Sequence, residues 1–148
     1  MDGMPKIGIP TARIERAGAE HPLITIHAAA QALGFRTLGL LGARVTMEGG
    51  FYPAVFSRRG LSVIIPEEPD RRIVDERYFG ELVHGTFRED TRVEISQVVD
   101  RLIERGVDAV ILGGTELPLL FRAGDLPRAP TLDTTAIHVA AAVERLLA

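Results

Sequence analysis

The stretch that decides the fold is Val110-Ile111-Leu112-Gly113-Gly114-Thr115-Glu116-Leu117. It begins with an uncharged aliphatic run, which is typical of a strand covered on both faces of a parallel sheet. The glycine pair after the run predicts a tight turn, and the residues that follow predict the start of a helix. A buried strand that turns sharply into a helix is the repeating unit of α/β domains, so this segment predicts that fold class.

The same alternation of short apolar runs and helical periodicity continues in both directions from this stretch. Strands are predicted at 23–26, 37–41, 61–65, 108–112 and 130–133. Helices are predicted at 27–33, from Thr46 or Gly50 to Arg59, from Pro69 to His84, from Asp90 or Thr91 to about Gly106, and at 136–147 with Thr134 or Thr135 as the cap. The pattern predicts a parallel sheet of about four to five strands flanked by helices, in a single three-layer α/β domain.

This domain is predicted to cover residues 22–148. Residues 1–21 are expected to form a weakly structured segment, because glycine and proline interrupt any helical period, although Lys6–Ile9 fits a short strand. The first residues lack the basic flank and apolar core of a signal peptide, so we expect a cytoplasmic protein.

The composition narrows the function classes. The 148 residues are 46% hydrophobic and 25% charged, which is ordinary for a globular domain with its own core. The formal net charge of −3 and the aromatic content of 5% argue against a nucleic-acid surface, which needs a basic face and stacking rings. No apolar run reaches the length of a membrane span, and the chain has no cysteine. We therefore expect no nucleic-acid partner, no membrane partner and no disulfide.

In a parallel sheet, ligands bind beyond the carboxyl ends of the strands. That rule selects the loops 42–46, 66–69, 113–116 and 133–135. The backbone N–H groups around Gly113 and Gly114 open a predicted helix, so they are suited to a carboxylate or a phosphate. The alternative is a plain tight turn in which Thr115 caps the helix.

Two side chains are further candidates for binding a carboxylate. The hydroxyl of Thr46 follows a predicted strand end, where it either binds a carboxylate oxygen or caps a helix. Arg88 lies in a loop between two predicted helices and carries a planar donor fork that fits a carboxylate. The alternative for Arg88 is simple solvation, which is the usual state of a loop arginine.

Glu116, Asp133 and His138 are the titratable groups nearest the predicted ligand edge. A carboxylate and an imidazole in contact can serve as base and acid, but the sequence does not show that these groups meet. The spacing of the histidines matches no metal-ligand motif, so no metal site is predicted.

The segment Gly113-Gly114-Thr115-Glu116 resembles the Gly-Cys-Thr-Glu signature of the aspartate/glutamate racemase family, with glycine in the cysteine position. Further segments resemble motifs of the second half of that family's proteins, in one consistent order between residues 22 and 148. They are Leu40–Glu48 for Leu-Leu-Gly-Thr-x-x-Thr-Met, Phe51-Tyr52 directly after it, Leu61–Pro66 for the next strand, Glu81–Glu89 for Gly-x-x-Lys-Glu, and Asp133–His138 for Asp-Thr-Thr-x-x-His.

The resemblance implies a fold of two similar α/β domains with the substrate between them. It implies proton exchange at the α-carbon of an amino acid by one cysteine from each domain, without pyridoxal phosphate, a metal or any other cofactor. Carried over to this sequence, Gly114 holds the position of the missing cysteine and Glu116 stands beside it as the second catalytic position. The substrate-binding positions are Thr46, Arg88, Gly113 and Thr115.

Glycine has no ionisable group, so it cannot replace a thiol as acid or base. The resemblance therefore implies a truncated or degenerate racemase with weak or no racemase activity, which keeps a pocket for a small carboxylate or amino acid. The alternative is a non-catalytic interaction module that forms a homodimer or pairs with a full-length partner, because a half-length domain exposes apolar surface. A Gly114→Cys variant is the matching gain-of-function test.

Overall fold

The computed structural model describes residues 21–122, 125–126 and 128–148, and the expectations for residues 1–20 and the Lys6–Ile9 strand lie outside them. The strands of the described part are β1 Thr37–Gly42, β2 Ser62–Ile64, β3 Ala109–Gly113 and β4 Thr131–Asp133. They form one parallel sheet in the order β2-β1-β3-β4. This confirms the predicted α/β class and its parallel sheet.

Helices surround this sheet on both faces. In the described residues they are α1 Pro22–Ala32, α2 Arg44–Glu48, α3 Phe51–Ser57, α4 Glu68–Gly80, a 3-10 turn Leu82–His84, α5 Glu89–Glu104, α6 Leu117–Leu120 and α7 Thr134–Leu147. Within those residues, no helix combines the length and the apolar character that a membrane crossing requires. Of the two starts predicted for the helix that ends near Arg59, the later one is confirmed, because Gly50 is the N-cap of α3 and Arg44–Glu48 form a separate helix.

The strand predicted at 23–26 is wrong, because those residues belong to α1. Pro22 occupies the first turn, and the side chain of His21 accepts a hydrogen bond from the N–H of Leu23. The prediction failed because most of the first half of α1 is buried, so its sequence shows no polar face and imitates a buried strand. The buried positions are Leu23, Ile24, Thr25, Ile26, His27 and Ala30.

Two hydrophobic cores lie on opposite faces of the sheet, as a three-layer domain requires. One core packs α4, α5 and α6 against residues such as Leu41 and Leu112 of the central strands. The other packs α1 and α3 against residues such as Leu40 and Ile111, which alternate with the first set along the same strands. Both central strands are therefore buried on both faces, as their uninterrupted apolar runs predicted.

The strand order fixes where a ligand can bind. From β1 the chain crosses to β2 on one side, and it later returns to β3 on the other side of β1. The loops that leave β1 and β3 therefore diverge, and the carboxyl ends of these two strands are where a ligand crevice is expected in such a sheet. Two of the four predicted ligand loops, 42–46 and 113–116, follow these strand ends.

The cap of α7 differs from the prediction. Asp133 is the N-cap, and its carboxylate accepts a hydrogen bond of 3.0 Å from the N–H of Ala136. The hydroxyl of Thr134 instead donates to the carbonyl of Leu112 at 3.1 Å. This bond ties the start of α7 to β3.

Candidate active site

The floor of the crevice is bare backbone. Gly42 and Gly113 are register partners at the ends of β1 and β3. A methyl group on Gly42 would lie 2.7 Å from the carbonyl oxygen of Gly113, and one on Gly113 would lie 2.7 Å from the carbonyl oxygen of Leu41. Neither position has room for a side chain, so the close packing of these two strand ends requires glycine at both.

Thr46 lies across this glycine pair. Its Cγ2 would be 3.1 Å from a methyl group on Gly42 and 3.2 Å from one on Gly113, so the threonine methyl packs on both strand ends. The residue lies inside α2, whose N-cap is Ala43, so the alternative prediction that Thr46 caps this helix is wrong. Thr46 is half-buried, and its hydroxyl makes no hydrogen bond to any described residue. The structure therefore places Thr46 beside Gly113. The Thr46 hydroxyl is a polar group at the carboxyl edge of the sheet.

The space beside Gly114 is filled by a residue of α4. Its φ of 149° belongs to a region that residues with a side chain rarely adopt. A methyl group at this position would lie 3.1 Å from Cζ of Tyr78 and closer still to the Tyr78 hydroxyl. The Tyr78 hydroxyl thus occupies the place where a side chain at position 114 would begin, so Gly114→Cys needs Tyr78 to move.

The hydroxyl of Tyr78 donates a hydrogen bond to the carboxylate of Glu116. This bond lowers the pKa of Glu116, and the side chain of Thr115 and the backbone N–H groups of Thr115 and Glu116 lower it further. Burial, together with the same bond, raises the pKa of Tyr78 well above its usual range. At neutral pH the proton therefore stays on Tyr78, and Glu116 is an ionised acceptor that is poorly suited to donate a proton.

The backbone N–H groups of this turn are less open than predicted. The N–H of Gly114 donates to the carbonyl oxygen of Leu112 at 3.1 Å, so it does not face a ligand. Those of Thr115 and Glu116 interact with the Glu116 carboxylate. The expected carboxylate cradle made of free N–H groups is therefore wrong at Gly114, and the turn already holds an anion of its own. The substrate-binding roles of Gly113 and Thr115 stay predictions.

Arg88 lies at the N-cap of α5, where its guanidinium binds Asp90. Two hydrogen bonds of 2.9 Å join them, and both side chains are about 60% exposed. In the described ranges, no hydrogen bond joins Arg88 to Thr46, Gly113 or Thr115. Its carboxylate-binding role stays a prediction, and a ligand there would compete with Asp90.

Asp133 and His138 do not join Glu116. Asp133 caps α7, and Nδ1 of His138 lies 3.3 Å from the hydroxyl of Thr25 on α1. The sequence left open whether these groups meet, and the structure does not pair Asp133 or His138 with Glu116. Within the described residues, no three His, Asp or Glu side chains gather in a way that could hold a metal ion.

A second polar cluster flanks the crevice on the β1 and β2 side. We call it the Arg44 network; it consists of Arg44, Glu48, Glu68, Arg71 and Asp75. Arg44 binds Glu48 at 2.6 Å and Glu68 at 3.1 Å, and its backbone N–H donates to Asp75 at 2.7 Å. Arg71 also binds Glu48, at 3.1 Å. The network joins the start of α2 to α4.

Sequence reasoning missed Tyr78 as a residue of the site. The sequence assigned it only to the helix predicted from Pro69 to His84, and its ring is buried in the core beside β3. Only the hydroxyl reaches the site, through a contact to a residue 38 positions later. The available signal was a tyrosine on a core-facing stripe, since a buried phenol usually finds a hydrogen-bond partner.

Comparisons with known proteins agree with this architecture. The family model described as Asp/Glu/hydantoin racemase matches residues 6–142. A candidate Asp/Glu racemase from Yersinia pestis is 36% identical with a TM-score of 0.80, over 86% of this chain and 56% of its own. An aspartate racemase homologue from Pyrococcus horikoshii OT3 is 28% identical with a TM-score of 0.78, over 84% and 54%.

A third similar structure is the aspartate racemase of Picrophilus torridus. It is 22% identical with a TM-score of 0.67, over 84% of this chain and 51% of its own, and at this identity it supports the fold alone. The chain thus spans little more than half the length of these solved relatives.

Proposed function

The chain belongs to the Asp/Glu/hydantoin racemase family, and on this basis we propose that it binds a small carboxylate or amino acid and racemises it weakly or not at all. The observation that carries the proposal is the crevice at the ends of β1 and β3, where Thr46 lies over Gly42 and Gly113 and no thiol stands at Gly114. Following the resemblance, we also propose that binding needs no cofactor and takes place in the cytoplasm.

Binding is supported by the shape and polarity of the crevice. Gly42 and Gly113 carry no side chain at the strand ends, and Thr46, which packs on them, has a hydroxyl donor without a partner among the described residues. A hydroxyl that donates to a carboxylate contributes about 1.5–3 kcal/mol. The ligand's carboxylate therefore belongs on the Thr46 side of the crevice, away from the ionised Glu116.

Weak or absent racemisation follows from the groups around Gly114. Inverting an α-carbon needs proton transfer on both of its faces, and the efficient groups have pKa values near the working pH. Here the pKa of Tyr78 is raised and the pKa of Glu116 is lowered, so both pKa values lie further from neutral pH than those of the free side chains. Neither group offers the acid/base balance that a thiol provides.

Titration of the labelled protein with L-aspartate, followed by NMR, tests the binding part. Thr46→Val keeps the methyl that packs on the glycines but removes the hydroxyl, and we expect it to weaken binding by about 10- to 100-fold. Thr37→Val, at the opposite end of β1, is the matched control and should bind like the natural protein. Absence of saturable shifts in the natural protein contradicts the binding proposal.

The catalytic part is tested by incorporation of deuterium at the α-carbon of aspartate and glutamate in D2O. We expect no incorporation above the buffer rate, or a slow one. Rapid incorporation that scales with protein concentration would show that other side chains move the proton, and would overturn the proposal of weak activity.

A second candidate function, an interaction module that forms a homodimer, is favoured by the surface of α7. Val139, Val143, Leu146 and Leu147 follow one another at helical spacing, and each is at least 47% exposed. An exposed apolar stripe of this kind is typical of a surface that binds another protein.

Light scattering after size-exclusion chromatography tests this second function. We expect a dimer for the natural protein and a monomer for Val143→Glu. Val93→Glu is a matched control, since Val93 on α5 is 48% exposed and Val143 is 47% exposed. A dimer with a Kd of about 1 μM or tighter is mostly formed at about 100 μM protein, so a monomeric natural protein at that concentration contradicts the dimer.

A further inference from the structure

Glu116 is a half-buried carboxylate whose partners are all neutral. It accepts hydrogen bonds from Tyr78, and Thr115 and the local backbone N–H groups stabilise its charge further. No arginine, lysine or histidine of the described residues forms an ion pair with it. The charge is therefore stabilised by dipoles alone, and no opposite charge neutralises it.

Other carboxylates of the molecule differ from Glu116 in this respect. Each of several glutamates and aspartates lies within ion-pair distance of an arginine; examples are Glu48, Glu68, Glu81 and Asp70. Partial burial of an unpaired charge costs free energy, and a cation brought by a ligand would offset that cost. Glu116 is also the carboxylate that stands at the end of β3, beside the crevice.

Tyr78 fixes where that carboxylate lies. Its ring is packed in the core, so the hydroxyl is held in one place, and that place is where a side chain at position 114 would begin. The phenol oxygen donates its proton to Glu116 and keeps lone pairs that can accept. Together the two residues present acceptors side by side, which suits an ammonium group with its three N–H donors.

We propose that Tyr78 and Glu116 form a specificity-determining pair that replaces the side chain at position 114 and accepts a cationic, hydrogen-bond-donating group of the ligand. The inference rests on the proposed function, which places the ligand's carboxylate on the Thr46 side of the same crevice. A ligand that carries both groups would then span the crevice from Thr46 to Glu116. Tyr78 acts here as a positioning residue for Glu116.

Calorimetric titration with L-aspartate and with succinate tests the pair, because succinate has the same two carboxylates but no amine. We expect the natural protein to prefer aspartate by about tenfold or more, as one charge-assisted hydrogen bond would give. Glu116→Gln should abolish that preference without weakening succinate binding. Glu76→Gln is the control; Glu76 lies exposed on α4, two residues before Tyr78, and its loss should leave the preference unchanged.

Tyr78→Phe is a second variant, in which the carboxylate is kept but is no longer held in place. It should reduce the preference for aspartate, and the pH at which binding is half-lost should rise as the pKa of Glu116 returns towards its ordinary value. The shift in this pH distinguishes a positioning role of Tyr78 from a general loss of structure. It also tests the proposal if Glu116→Gln does not fold.

The possible failures are distinguishable. Equal affinity of the natural protein for aspartate and succinate, or a preference that survives in folded Glu116→Gln or Tyr78→Phe, overturns the specificity pair and leaves the proposed function intact. If neither ligand binds the natural protein, the proposed function fails and this inference fails with it.

Discussion

Two polar clusters lie along the carboxyl edge of the sheet, and they stabilise carboxylates in opposite ways. In the Arg44 network, two arginines bind Glu48 and Glu68 directly. At the end of β3, Glu116 relies on Tyr78, Thr115 and backbone N–H groups. In the first cluster each glutamate contacts an arginine and two helices are joined, whereas Glu116 has no cationic partner among the described residues. The first cluster therefore has a structural role, and the second is the one that we propose faces a ligand.

Among the substitutions that test this comparison, the largest effect on stability is expected when a side chain is added at position 114. We expect Gly114→Ala to lower the free energy of unfolding by about 2–5 kcal/mol, because the methyl collides with Tyr78 and the backbone angle is unfavourable for alanine. Gly80→Ala is the control, since no atom lies within 4 Å of a methyl there, and its effect should be within about 1 kcal/mol of zero or stabilising. Urea denaturation measures both.

Adding Tyr78→Phe should recover part of the loss caused by Gly114→Ala, because it removes the nearest atom of the collision. If the two losses simply add, the Tyr78 hydroxyl is not what excludes a side chain at position 114.

A smaller effect is expected for Tyr78→Phe alone. Loss of a hydrogen bond to a charged group should cost about 1.5–3 kcal/mol at pH 7. Tyr52→Phe is the matched control, since Tyr52 is also buried but its hydroxyl bonds to no described residue, and it should cost much less.

The same variant has a defined pH dependence. The pKa of Glu116 is lowered from 4.5 in the folded protein, so its contribution to stability is present above pH 4.5 and is lost as the pH falls through the lower folded value. Tyr78→Phe removes the largest cause of that lowering. The stability gap between natural protein and variant should therefore narrow in acid, and a gap that widens would contradict the assignment of charges.

The smallest effect is expected for Glu68→Gln in the Arg44 network. Glu68 lies at the surface, where an ion pair contributes little and salt screens it. Its destabilising effect should be smaller than that of Tyr78→Phe and should vanish in 1 M NaCl, where the Debye length is about 3 Å. The effect of Tyr78→Phe should persist in the same salt, because its donor is neutral. Equal salt sensitivity of the two variants would remove the distinction between the clusters.

The sheet could be predicted because its central strands are buried on both faces. Their apolar runs, such as Val110-Ile111-Leu112, lie between glycine turns, so they are readily recognised as strands. The first helix could not, because burial on several sides removed the periodicity by which a helix is recognised. Thr46 and Gly113 follow strand ends, so the rule for parallel sheets brought them together correctly.

The rest of the site depends on contacts that local patterns do not contain. Tyr78 reaches Glu116 across 38 positions, and the N–H of Gly114 turns back to Leu112 within its own segment. The first contact depends on how α4 packs over the end of β3, and the second is a turn within the segment itself. The sequence indicated that a thiol is absent at position 114, but it did not indicate which group lies in its place.

Tyr78 collides with any side chain placed at position 114. The order in which positions 78 and 114 are substituted therefore also matters. A single codon change that placed cysteine at position 114 would meet the phenol already in place, so it is disfavoured until position 78 changes. Introducing the two substitutions one at a time would therefore pass through a more destabilised intermediate when position 114 changes first than when position 78 does.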